Sequence, residues 1–308
     1  METPAGNDTI SRILGNNVPP SSAELSYFSE LDDEELERFH RAWSKSTEER
    51  RREIISQLVR VCQANFRLDF NSIFSFCLQD RDPEVRIQAI NGLAEDENQH
   101  HIAPLVNIIK TDSSADVRAV AIIALGRFAL LAELGELSER NAHQVYTTLL
   151  NIAGNEAESI EMKSLALEAI SPLNLAGINE LIDQAYKSSD NKLKTSAIRA
   201  MGRSCNPCWL DTLADEIRND DAGIRYEIAR ACGEIAADEA IPCLLKLMND
   251  ENLWIREAVV QALESIGSER ARQELIKLTK NTEPKIRKAA RQAIKELDWD
   301  KDILSMDY

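Results

Sequence analysis

Apolar and polar positions recur along most of the chain in one fixed register. An apolar residue is followed by Arg or Lys, and small or apolar residues follow three, six and seven positions later. The register fits at Arg86, Arg118, Lys163, Lys194, Arg225, Arg256 and Arg287, at separations of 32, 45, 31, 31, 31 and 31 residues. Just before the basic residue stand Val85, Val117, Met162, Leu193, Ile224, Ile255 and Ile286, and six after it every residue is Gly or Ala. Apolar positions at −1, +3, +6, +7 and +10 define one face of a helix of 3.6-residue period. The small +6 column lets a neighbouring backbone come close. Four before the basic residue, Asp82, Ser114, Ser159, Asp190, Asp221 and Asn252 are good N-caps, and each sets the start of a helix. Glu283 breaks that series.

A second apolar series, Leu105, Ile182, Leu213, Leu244 and Leu275, lies nineteen residues after the basic position. Each unit therefore holds two antiparallel helices, A and B. A pair of this size cannot bury both its faces alone, so the units must stack. The fold class that follows is all-α, an α-solenoid.

The segments DPEVRIQAINGLAED, DVRAVAIIALGRF and IRYEIARACGEIAADEAIPCLLKLMND resemble HEAT repeats of the short, phycobilin-lyase-like type. The resemblance covers roughly residues 80 to 298. It implies a right-handed superhelix with an outer A layer and an inner, concave B layer, and an inter-repeat ladder joining the basic column to acidic turn residues. Two departures stand out. The 45-residue interval holds about 14 extra residues around FALLAELGELSERN (128–141), read as an additional helical turn and loop. Residues 25–82 are a degenerate N-terminal cap: ELDDEELERFHRAW reads as a capped helix with Leu36, Phe39 and Trp43 on one face, and EERRREIISQLVRV mimics the repeat with Arg51 as its basic residue. Residues 1–24 read as a flexible leader, 83–298 as the repeats and 299–308 as a tail.

Composition agrees with helices: aromatics are 5% and there are 11 glycines in 308 residues. The net charge of −16 repels nucleic acid and anionic membranes. The charge is uneven, with 5 basic against 11 acidic residues over 1–50 and 9 basic against 2 acidic over 270–295. That basic stretch reads as a solvated end cap or as a contact for an acidic partner. There is no signal-peptide pattern and no long apolar run, which points to the cytoplasm and to reduced cysteines.

Cys205 and Cys208 form a CxxC spacing that could bind half of a metal site or cycle as a redox pair. The register places them in the turn between helices A and B, where later units carry AADE and GSER. Asn206 would cap helix B, Pro207 would open it, and Cys208 would sit in its first turn, where the dipole favours a thiolate. No second CxxC completes a zinc site, so the segment is read as a turn, without metal or cofactor. His100 and His101 fall in another such turn, and the His-Glu dipeptides of deoxyhypusine-hydroxylase-type HEAT enzymes are missing.

Trp254 is the outlier among polar residues two before the basic position, and Tyr226 should lie near it on the adjacent unit. An exposed tryptophan there would make a contact patch. The +21 column (Asn107, Gln184, Asp215, Lys246 and Lys277) is polar throughout and would line the concave B face. No nucleophile, base and oxyanion donor come together at plausible spacing. The expectation is a non-catalytic scaffold that binds another protein through its helix-B face. A tetrapyrrole- and client-handling subunit of the phycobilin-lyase kind is the alternative, and a DNA-binding HEAT protein is less favoured.

Overall fold

The computed structural model describes residues 5–16, 18–29, 31–173 and 175–306. The chain is an all-α solenoid, with no strand among the described residues, and it forms two compact units, Met1–Thr148 and Leu149–Tyr308. The first unit opens with α1 (Ala5–Gly15), α2 (Ser22–Leu25) and α3 (Asp33–Lys45). Helix pairs follow: α4 (Glu48–Ala64) with α5 (Asn71–Cys77), then α6 (Pro83–Gly92) with α7 (Ile102–Thr111), then α8 (Ala115–Glu133). Helix α9 (Glu139–Gly154) carries the chain into the second unit. There the pairs are α10 (Ile160–Ile170) with α11 (Ile178–Tyr186), α12 (Asn191–Arg203) with α13 (Leu210–Asp215), α14 (Ala222–Ile235) with α15 (Ile241–Leu247), and α16 (Leu253–Ile266) with α17 (Glu269–Leu278). The last helix is α18 (Pro284–Met306).

The repeat register explains these elements. Side chains of Asp82, Ser114, Ser159, Asp190, Asp221 and Asn252 each accept a backbone N–H from the first turn of the A helix they open. The −1 and +3 columns are buried in all seven units, and so are Leu105, Ile182, Leu213, Leu244 and Leu275 on the B helices. Consecutive A helices approach closely at small residues. A Cβ built on Gly202 would lie 2.7 Å from Ala231 Cα, and one on Gly233 would lie 2.7 Å from Ala262 Cα. The +6 alanines Ala231 and Ala262 thus face the +8 glycines Gly202 and Gly233 of the units before them.

The basic column makes inter-helix ion pairs at Arg86, Lys194 and Arg225. Arg86 holds Asp112 through two 2.7 Å hydrogen bonds, and Arg225 holds Asp250 at 2.6 and 3.2 Å. Each acidic partner belongs to the turn that leads into the next A helix. The same guanidinium also donates to a carbonyl six residues before it: Asp80 for Arg86, Asp112 for Arg118, Asn219 for Arg225 and Asn281 for Arg287. One arginine therefore ties its own turn to its neighbour's. Arg225 keeps the Asp250 carboxyl below its usual range.

The reading of residues 1–24 as a flexible leader is corrected over its described part. Ile10, Ile13 and Leu14 share one face of α1 and are buried, while Arg50 Nε donates to the Ile13 carbonyl (3.1 Å) and Ser46 Oγ to that of Leu14 (3.1 Å). A short apolar i, i+3, i+4 stripe suffices once a partner surface is present. Residues 1–4 and Asn17 lie outside the described residues. The tail is corrected too: α18 runs on through residue 306, and 307–308 lie outside the described residues. In the 128–141 segment α8 continues to Glu133, and Gly135 (φ 76°) turns the chain towards α9.

Eleven residues after the basic position, three successive A helices are followed by a left-handed residue: Cys205 (φ 49°), Ala236 (φ 53°) and Gly267 (φ 62°). Only glycine adopts that conformation without a steric penalty. Ala236→Gly should therefore stabilise the protein by about 0.5–1 kcal/mol, and Gly267→Ala should destabilise it by a similar amount. Urea midpoints at constant slope measure both; a lower midpoint for Ala236→Gly would contradict the assignment.

Candidate interaction surfaces

Trp254 is the second residue of α16, and its backbone N–H is fixed by the Asn252 cap at 3.0 Å. At that position the side chain leaves the core-facing stripe, and the indole is 71% exposed. Tyr226 on α14 is half-buried, and the structure brings it together with Trp254 in one groove of ≈ 520 Å³. The groove lies across the A helices α12, α14 and α16. Its lining includes Thr195, Arg199, Gly223, Glu227, Glu257 and Gln261. In register terms these are the −2, +1, +2 and +5 columns of consecutive units. Gly223 takes the −2 place that Lys192 holds one unit earlier. A Cβ there would meet nothing within 4 Å but the Asp221 carboxylate, so the missing side chain opens the floor of the groove.

One wall of the groove is a chain of ion pairs between neighbouring A helices. Arg199 stands 3.5 Å from Glu168 on α10 and donates to Glu227 at 2.8 Å, and Glu227 also accepts from Arg230 at 3.2 Å. The Glu227 carboxylate makes Arg199 more basic than an isolated guanidinium. Glu227 is itself buried, which such double pairing permits. A signal was available: Glu168 and Arg199 occupy the same +5 register with opposite charge. Glu257, one turn along α16 from Trp254, has no hydrogen bond or ion pair among the described residues.

The +21 residues Gln184, Asp215, Lys246 and Lys277 are all exposed on the B helices of the second unit. They are not part of the Trp254 groove, so the two candidate sets form separate surfaces. Asn107, exposed on α7 of the first unit, lines a cleft of ≈ 770 Å³ with His100, Pro104 and Gln79, floored by the Arg86–Asp112 pair. His101 Nε2 pairs with Asp96 at 2.8 Å.

The CxxC occupies the inter-helix turn, as the register places it. Asn206 accepts the Cys208 N–H at 3.1 Å and Pro207 follows as the first helical residue. One expectation is corrected. Pro207–Trp209 is a single 3₁₀ turn ahead of α13, and partial burial raises the Cys208 thiol above its ordinary value instead of favouring a thiolate. Cys205 Sγ lies 3.5 Å from the Glu234 carbonyl, and both cysteines are free thiols. No group of three or more metal-ligating side chains is placed to hold an ion among the described residues. No helix among them is long and apolar enough to cross a membrane.

The basic stretch 270–295 belongs to α17 and α18. At +4 the internal units bury Ile198, Ala229 and Val260, whereas α18 has an exposed Arg291 flanked by exposed Lys288 and Lys295. A charged residue in a column that otherwise meets the next unit makes that side of α18 a solvated face.

No curated protein sequence matches the chain. Among solved structures, yeast importin-β (Kap95p) is similar at 12% identity, covering 96% of this chain and 46% of its own, with a TM-score of 0.58. Kap121p is similar at 14% identity over 94% of this chain and 37% of its own, with a TM-score of 0.53. The chain thus spans less than half the length of each, and the likeness is one of fold. The family profile for HEAT repeats matches residues 71–171, 178–249 and 210–295. By its repeat register, its stacked helix pairs and that match, the chain belongs to the HEAT-repeat family.

Proposed function

We propose that this protein is a non-catalytic scaffold that binds another protein, anchored at the A-helix groove around Trp254. The observation that carries the reading is an indole 71% exposed, on a backbone held by a cap, beside a tyrosine from the adjacent unit. Rigid exposed aromatics are the residue class that dominates binding energy at protein interfaces. The polar +21 positions on the B helices supply a second, hydrated contact surface in the same reading. The groove's ionisable side chains support a binding role over a catalytic one. Arg199 and Glu227 are engaged in inter-helix pairs, and Asp221 caps α14. A tetrapyrrole would need an apolar aromatic-lined cleft, and the charged walls favour the protein-binding reading.

The test is a peptide-display library panned against the full chain. Trp254→Ala should lower capture of the recovered binders by roughly 30-fold, equivalent to about 2 kcal/mol at an anchor residue. Helicity and melting should stay as in the parent, because the ring is exposed. Binders retained in full by Trp254→Ala would overturn the reading.

A further inference from the structure

The groove's chemistry narrows what it takes. Trp254 and Glu257 are three residues apart on α16 and so share one face of the helix. The indole offers a negative ring face to solvent. Glu257 adds a carboxylate to which no described residue donates, in contrast to Glu227, which Arg199 and Arg230 neutralise. The lining holds three carboxylates (Asp221, Glu227 and Glu257) against the single guanidinium of Arg199. An apolar occupant would strip water from Glu257 without replacing its hydrogen bonds, which is unfavourable. An anionic occupant would meet the excess of carboxylates and a chain of net charge −16. A cation satisfies both the ring and the acid.

We propose that the groove between α14 and α16 receives an arginine or lysine side chain from an extended peptide segment of a partner protein, stacked on Trp254 with its charged head against Glu257. This rests on the protein-binding reading above and adds to it the chemistry of the ligand. The open floor at Gly223 provides the room beside the indole for the aliphatic stem of such a side chain.

The probe is a capped Gly-Arg repeat octapeptide, with its citrulline counterpart as the uncharged control. Each is titrated into the full chain at low salt. Indole fluorescence is the readout, and the Trp254→Phe variant provides the blank that removes the signal of Trp43, Trp209 and Trp299. Saturable quenching is expected with the arginine peptide. Citrulline should bind about tenfold more weakly, and Glu257→Gln should produce about the same loss with the arginine peptide. In Glu257→Gln the two peptides should differ far less than in the parent, because the change removes the charge that distinguishes them. Equal binding of both peptides to the parent, or no saturable quenching at millimolar peptide, overturns the assignment. So does an unaltered affinity in Glu257→Gln. If display binders still require Trp254 in any of those cases, the scaffold reading stands and only the cationic ligand is rejected. If they do not, both fall.

Discussion

Asp80→Asn is expected to destabilise the first unit by about 3–5 kcal/mol, the cost of leaving a buried charge without its partner. Asp80 lies at the junction of three helices. Its Oδ2 accepts from Trp43 Nε1 on α3 at 2.7 Å and faces Arg51 Nε on α4 at 3.0 Å. Its Oδ1 accepts the Asp82 N–H at 2.9 Å, and its carbonyl accepts from Arg86 Nη1 on α6 at 2.7 Å. The side chains of Arg51 and Asp80 are only 2% and 6% exposed, so little water reaches the pair. Asparagine keeps one acceptor, for the indole or for the turn but not for both, and removes the negative charge. Amides of α3, α4 and α5 should then exchange with deuterium about two orders of magnitude faster, while those of α12, α14 and α16 keep the parent rates. Adding Arg51→Met should recover much of the loss, since it removes the orphaned cation. A loss below about 1 kcal/mol would mean that Arg51 reaches solvent and that the pair is not what closes this end of the array.

Gly233→Ala should also destabilise, even though alanine is the better helix former by about 1 kcal/mol. The new Cβ would lie 2.7 Å from Ala262 Cα and 2.9 Å from Ala262 Cβ. The first of these clashes is with backbone, so α14 and α16 must separate along their length. Overpacking of this kind costs about 1–3 kcal/mol, which exceeds the gain in propensity, and Gly233→Val should cost more. Ala262→Gly should relieve little of it, because the clash with the α16 backbone remains. Urea unfolding of the single and double variants measures both points. A stabilised Gly233→Ala would show that the A helices can part at no expense, and would remove the packing reason for the small columns.

The two cases differ in how far the sequence foretells them. The Gly/Ala column at +6 was visible as a repeat, but its counterpart at +8, Gly202 and Gly233, has meaning only once the next helix lies against it. Arg51 was legible as a degenerate copy of the basic column. Asp80 was not, because its partners Trp43 and Arg51 come from two other helices, 37 and 29 residues earlier. The same limit applies at the groove. Trp254 announced itself by breaking a polar column and Tyr226 by its place one unit earlier, whereas Arg199, Glu227 and Glu257 looked like ordinary helix-surface charges. Only packing showed that the first two are engaged with each other and that the third has no partner.

Cys208 shows a local rule failing. Its neighbours predict a helix N-terminus and an acidic thiol, yet the turn is 3₁₀, a single turn has little dipole, and burial acts in the opposite direction. Residues 5–15 show the converse. They read as part of a flexible leader, yet Ile10, Ile13 and Leu14 are buried in a helix that packs on α3 and α4.

By itself the sequence determined the helix pairs, their caps, the 31-residue period and hence the HEAT-type solenoid. Those properties follow from local periodicity and from residues a few positions apart, which repeat often enough to be read. The tertiary structure decided which charges pair between units, that Trp254 and Tyr226 share a groove apart from the polar B-helix positions, and that both termini of the array extend into helix. Each of these depends on contacts between residues about 30 positions apart, where distance and desolvation, not residue type, settle whether a side chain is a strut or an open contact.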